Sequence, residues 1–306
     1  MAPEAALERV VCNLCGCDDA ARLYERPYDL ASVSEVATFA ATTDEYQSYG
    51  RIVRCRRCGL VYTNPRPKAP DLIEGYKGCV DEAYMAESSS RSINAHLSLN
   101  VIKRFVKGGK LLEVGSYAGY FLNAARTDFE VSGLEPSEWG CRMTRERFGI
   151  EAHQEPFETT KRFAPGSLDC MAMIDVIEHL ADPMRALERA NSLLKPGGIL
   201  YLVTPDIGSF SALLLGGGWW GLRPAHIYYF DKRTLRDMLG KSGFDVVHQR
   251  SFGRVFSYGY WASRLRHYPA WARGPVEAVI RWLELEHKLV YVDTRDSIEI
   301  CARKRP

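Results

Sequence analysis

The sequence predicts an α/β protein: a mostly parallel, doubly wound sheet preceded by a small cysteine-bearing module. Three observations carry that expectation. Short apolar runs alternate with segments of helical period along most of the chain. Glycines crowd one strand-to-helix turn between Lys110 and Glu135. Two matched Cys-x-x-Cys-Gly knuckles stand apart from that series, near the N-terminus.

The stretch Lys110 to Glu135 organises the rest. Leu111, Leu112 and Val114 read as a buried strand, and Gly115 to Gly119 as a turn of small residues. Phe121, Leu122, Ala124 and Ala125 recur at helical spacing. Val131, Gly133 and Leu134 begin a second strand that closes on Glu135. Glycines in the first turn let a nucleotide cofactor approach the backbone. An acid after the second strand accepts hydrogen bonds from a ribose diol. A dinucleotide would require Gly-x-Gly-x-x-Gly, and Tyr117 and Tyr120 stand where its later glycines belong.

The other elements follow in order. Cys12, Cys15, Cys55 and Cys58 form the two knuckles, each followed by glycine, with an insertion between them. Such turns aim four soft thiolates at one ion, so a tetrahedral structural zinc is expected. Cys17 is off the spacing and reads as a bystander. Gly59 to Pro67 continues as a ribbon strand that the prolines stop. The cluster Arg51, Arg54, Arg56 and Arg57 fits a solvated ribbon face. Arg91 to Val106 has helical spacing, and Lys107-Gly-Gly109 stops it. The domain boundary is therefore placed near residue 90, giving modules 1–90 and 91–306.

Beyond Glu135, Ser137 should cap a helix through Arg147, with a short strand at Ile150 to His153 and another at Leu168 to Ile174. Asp182 and Pro183 open a helix through Leu194. Lys195 to Gly198 reads as a turn, and Ile199 to Val203 as a strand. A helix at Asp231 to Lys241, a strand at Phe244 to Val247 and a last strand at Asp296 to Ala302 complete the alternation. The insertion Tyr258 to Val292 reads as two amphipathic helices. It suits packing on the sheet, a pocket cap, a homodimer contact or a membrane-surface contact.

Several segments resemble class I S-adenosylmethionine (SAM) methyltransferases: LLEVGSYAGYFL, IDVIEHLADP, LLKPGGILYLVTP and SGFDVV, in that order. CNLCG…RCRRCGLVYTNPRP is similar to the zinc ribbon carried by one branch of them. The resemblance implies a seven-stranded Rossmann-like methyltransferase sheet preceded by a small zinc-ribbon domain. It places Glu113, Gly115 and Gly119 at the methionine end of SAM, with Tyr117 departing from the pattern at the middle glycine. It also places Glu135 on the ribose, Gln154 and Glu155 near adenine and Asp175 beside the cofactor.

Methyl transfer needs alignment and, where the acceptor carries a proton, a base. Histidine suits best. His226, in Leu222 to Phe230, resembles the His-x-x-Tyr-Phe element of zinc-containing deoxysugar C-methyltransferases and is the first choice. No counterpart of that family's longer C-terminal domain is expected in these 306 residues, which weighs against a deoxysugar acceptor. His179 is the second: Asp175, Glu178 and His179 resemble an acidic element of quinone-pathway O-methyltransferases that holds a divalent cation. His153 reads as packing, and His96, His248, His267 and His287 as structural or solvated. Gly216 to Gly218 followed by Trp219 and Trp220 suits a lid or a core anchor. The ribbon, with Tyr76 and Tyr84, is expected to cover the site.

Composition sets the outer limits. The chain has 306 residues, 46% hydrophobic and 25% charged, with a formal net charge of +2. That balance, without a broad basic stripe, argues against nucleic acid as substrate, and so against an RNA methyltransferase gripping through its ribbon. A non-catalytic SAM-binding or ribbon module is the remaining alternative. No secretory signal or membrane span is expected. Nine cysteines without a leader point to a reducing, cytoplasmic setting. The expected function is methyl transfer to oxygen, ahead of carbon, of a small polar or sugar-like acceptor.

Overall fold

A computed structural model of the chain describes residues 7–26, 39–42, 49–266 and 269–306. His267 and Tyr268 lie outside them. Seven strands form the main sheet, in the order Phe244–Ser251, Ser297–Lys304, Leu194–Pro205, Leu168–Ile174, Lys110–Val114, Glu130–Leu134 and Ala152–His153. Ser297–Lys304 runs antiparallel to both its neighbours, and the pairings from Leu194–Pro205 to Ala152–His153 are parallel.

The two faces of this sheet are distinct cores, because successive side chains on a strand point in opposite directions. Leu112, Met171, Leu200, Leu202 and Ile300 pack on one face. Leu111, Cys170, Ala172, Tyr201 and Cys301 pack on the other. Continuous apolar runs, rather than alternation with polar residues, are what a sheet covered on both sides requires.

Local signals end the helices where expected. Ser137 Oγ accepts from Gly140 N at 3.1 Å, opening Glu138–Phe148, and Gly149 closes it at φ 65°. Asp182 caps Pro183–Leu193, and Asp231 with Thr234 forms a capping box on Lys232–Lys241. One expectation is corrected. Lys195 to Gly198 is not a turn between elements but a bulge within the strand Leu194–Pro205, where the register shifts against Leu168–Ile174. Gly197, at φ 77°, supplies the left-handed residue that the extra length needs.

A second, four-stranded sheet has the order Tyr228–Tyr229, Val61–Thr63, Arg51–Cys55, Ala20–Glu25. Its three ribbon strands come from the N-terminal part. Its edge strand comes from the segment after His226, with Tyr228 paired to Tyr62. The insertion holds two helices, Tyr258–Ser263 and Ala270–Trp282, on a hairpin of Arg254–Ser257 with Leu289–Val292. The hairpin was not anticipated. No helix among the described residues is long and apolar enough to cross a membrane.

Candidate active site

The glycine turn is built by close approach. Gly115 N and Ser116 N both donate to Leu134 O, at 2.8 and 3.1 Å. Gly115 has φ 70°, and a Cβ there would lie 2.6 Å from Val176 Cγ2. Gly119 has φ 75°, and its Cβ would lie 2.5 Å from Thr144 Cγ2. Tyr117 adopts φ 44° at the middle position. A side chain in that region costs about 1–2 kcal/mol, and packing compensates here. Its ring meets Tyr84 edge-on at 4.7 Å and Trp139 at 5.4 Å.

Glu135 is buried. Its Oε2 accepts from Tyr117 N at 2.7 Å and its Oε1 from Ser137 N at 2.8 Å. Burial raises its pKa to about 7, against these two donors. Glu113 is buried too, and desolvation followed by the nearby Glu135 pushes its pKa well above the usual carboxylate range.

One cavity of about 590 Å³ runs from this turn. Glu113, Gly115, Tyr117, Glu135 and Asp175 line it, as do His179 and His226. Gln154 does not. It borders a separate small pocket with Glu138 and Arg142, whereas Glu155, Pro156 and Phe157 reach the main cavity. The strand Ala152–His153 ends just before Gln154, and the chain then turns inward. Gly119 is not among the lining residues either; it lies against Thr144.

At the other end the two histidines come together, with ring centroids 4.7 Å apart. His226 is buried, and its Nδ1 lies 2.8 Å from Gly221 O. His179 Nδ1 lies 2.8 Å from Ala225 O and 2.6 Å from the Tyr76 hydroxyl. A carbonyl oxygen only accepts, so each Nδ1 is assigned the proton and each Nε2 a lone pair. Burial pushes the His179 pKa down to about 4. Burial, then His179 and Arg223, holds His226 well below the ordinary imidazole range. Both rings are neutral near pH 7.

Glu178 completes the cluster. One ligand atom from each of Glu178, His179 and His226 lies within 4.8 Å of the others. Glu178 Oε2 accepts from Thr204 Oγ1 at 2.9 Å, and Oε1 has no hydrogen-bond partner among the described residues. Burial, then Asp175, raises its pKa to about 8. Asp175 itself stands apart from this cluster. Both its carboxylate oxygens accept from Arg254 Nη2, at 2.7 and 2.8 Å.

The segment carrying His226 is held by the ribbon. Thr63 N donates to Ile227 O at 2.9 Å, and Ile227 N donates to Glu178 O at 3.0 Å. In the ribbon, Cys12, Cys15, Cys55 and Cys58 place their sulfurs within 4.8 Å of one another. Leu14, Cys15, Arg57, Cys58 and Leu60 aim backbone N–H groups at three of those sulfurs. Cys17 points elsewhere, toward Asp19 O.

Trp219 is a core anchor, 1% exposed, while Trp220 lines the cavity and donates from Nε1 to Asp296 at 2.6 Å. Arg91 and Arg254, which also line the cavity, were not singled out from the sequence. No motif marks them, and only the fold brings them to the turn.

A methyltransferase-domain family model matches residues 86–249, more than half of the chain. The chain belongs to the class I SAM-dependent methyltransferases. This methyltransferase is 27% identical over 168 residues to a ubiquinone biosynthesis O-methyltransferase of Cereibacter sphaeroides, covering 51% of the chain and 67% of the relative. It is 28% identical over 170 residues to one of Ruegeria pomeroyi, covering 50% and 66%. In the solved complex of the Haloferax volcanii Trm112 methyltransferase activator with a methyltransferase, a chain aligns with a TM-score of 0.50 and 17% identity. The alignment covers 73% of this chain and 96% of that one. That likeness bears on the fold.

Proposed function

We propose that this methyltransferase moves a methyl group from SAM to an oxygen, ahead of a carbon, of a small polar or sugar-like acceptor. The carrying observation is the single cavity joining the glycine turn and Glu135 to the paired histidines. The similarity to ubiquinone O-methyltransferases favours oxygen.

The residues at the turn suit SAM. Glu113 Oε2 and Ser116 Oγ are buried without a hydrogen-bond partner among the described residues. Glu135 keeps lone pairs for a ribose diol after its two backbone bonds. Gly115 supplies backbone with no Cβ, and Tyr117 fixes Glu135 through its N–H. Asp175 and its Arg254 partner border the same space. Phe157 and Glu155 are proposed beside adenine, in place of Gln154. When bound, SAM supplies an electrophilic methyl group on a sulfonium.

His226 is the proposed base. Its Nδ1 proton on Gly221 O leaves Nε2 to take the acceptor's proton. His179, anchored by Ala225 O and Tyr76, orients the acceptor by accepting at Nε2. Both begin neutral, which a base requires. The four thiols are proposed to hold a closed, four-coordinate structural zinc. Residues 1–90 then form the ribbon and cover, and residues 91–306 the methyltransferase domain.

The test is methyl transfer from isotopically labelled SAM across acceptor classes, read by mass spectrometry. His226→Ala is expected to lower kcat about 10²–10⁴-fold while SAM still binds by calorimetry. Unchanged turnover in that variant refutes the assignment of the base.

A further inference from the structure

We infer that the helix Ala270–Trp282, with the shorter helix Phe210–Leu215, seats this methyltransferase on an anionic lipid surface. A surface helix ordinarily turns its apolar stripe toward the core. In Ala270–Trp282 the stripe faces out. Trp271, Pro275, Ala278, Val279 and Trp282 recur at helical spacing, and all five are exposed. Val276 and Leu283 widen the same face. Ile280 is buried on the other side of the helix, which also carries the half-buried Arg273 and Glu277.

The insertion is fastened, so this face is presented rather than left over. Asn94 Nδ2 donates to Val255 O at 2.8 Å, and Asn94 Oδ1 accepts from Val255 N at 2.7 Å, which ties the strand Arg254–Ser257 to the helix Ser88–Ile102. Tyr258 N and Gly259 N donate to Lys288 O and Glu286 O, each at 3.0 Å, closing the insertion on itself. The helix Tyr258–Ser263 packs against Ala270–Trp282 and sends Trp261 to the cavity wall.

Charge and placement select the occupant. Between Tyr258 and Val292 the chain carries Arg264, Arg266, Arg273, Arg281 and Lys288 against Glu277, Glu284 and Glu286. Arg273, Arg281 and Lys288 make no ion pair among the described residues. Tryptophans at both ends of an apolar stripe, with arginine and lysine at its border, suit the boundary between lipid headgroups and acyl chains. The apolar exposure also recurs on a second element. Phe210, Leu213 and Leu214 are 78%, 71% and 72% exposed, while Ser211 and Leu215 of the same helix line the cavity. A lipid surface is continuous and adaptable and can receive both helices, whereas a folded partner needs two matched seats.

Vesicle flotation of the zinc-loaded full chain tests this, with phosphatidylcholine vesicles made with and without phosphatidylglycerol. Wild type is expected to bind the anionic vesicles about 10- to 100-fold more tightly at low salt, and added salt should erode the difference. Trp271→Ser with Trp282→Ser should weaken binding to anionic vesicles at least about 10-fold with an unchanged circular dichroism spectrum. Arg281→Gln with Lys288→Gln should reduce the preference for phosphatidylglycerol. Brominated lipid should quench tryptophan fluorescence in wild type and less in the double serine variant. Wild type that stays with neither kind of vesicle overturns the inference, as does vesicle binding undiminished in the double serine variant. A dimer seen by sedimentation equilibrium, lost in that variant and indifferent to vesicles, also overturns it and assigns the face to a second copy of the chain.

Discussion

As the proposed base, His226 is a weak one made ready rather than a strong one. Its surroundings destabilise the imidazolium, so the ring is neutral before the acceptor arrives. The sign of the pH effect follows. A base works when deprotonated, above its pKa, and both histidines have pKa values displaced downward, His179 to about 4. The acid limb of kcat/KM is therefore expected well below ~6.5, the ordinary histidine value. A pH–rate profile with an acid limb at that ordinary value contradicts the assignment. Glu135 behaves oppositely. Its pKa is raised to about 7, and the proposed ribose contact uses the carboxylate, so SAM affinity should fall as pH drops through about 7. Glu135→Gln should cost about 1–3 kcal/mol in SAM binding at pH 8, measured by titration calorimetry.

At the scale of elements, the ribbon and the active site share a sheet. The strand Tyr228–Tyr229 pairs with Val61–Thr63, one residue beyond the His226–Ile227 turn. Loss of the four-sulfur centre should therefore reach the base. Zinc binding contributes on the order of 10 kcal/mol to modules of this size. Cys15→Ser is expected to unravel the ribbon strands and to abolish turnover while 5′-methylthioadenosine still binds; circular dichroism, zinc content and calorimetry read the three effects. The knuckles were legible because Cys-x-x-Cys-Gly spacing is local chemistry. The shared strand was not, because Tyr228 and Tyr62 lie far apart along the chain and neither carries a pairing signal. The same limit explains Gln154: the strand end was visible, but the direction of the turn after it was not.

Across the whole molecule, tryptophans divide between the core around the sheets and the outer surface of the insertion. Trp271 and Trp282 are each 81% exposed on the helix Ala270–Trp282, whereas Trp219 is 1% exposed. Trp271→Lys with Trp282→Lys should leave stability within about 0.5 kcal/mol per substitution, while Trp219→Ala should cost about 3–5 kcal/mol. Denaturant unfolding distinguishes these outcomes. The strand Arg254–Ser257 at the base of the insertion is tied to the helix Ser88–Ile102 through Asn94, and Ile280 is buried, whereas the two tryptophans face outward.

By itself the sequence determined the α/β rhythm, the two-faced sheet, the helix caps, the thiol quartet and the glycine turn with its closing acid. Each is written in residues close together along the chain, where periodicity, capping and backbone freedom act. Only the tertiary structure decided that His179 and His226 face each other, that Asp175 is taken by Arg254, and that Arg91 lies against Tyr84 and Phe256. Those relations join residues that no local rule connects. They follow from how helices and loops pack over the sheet, where burial and unmet hydrogen bonds act.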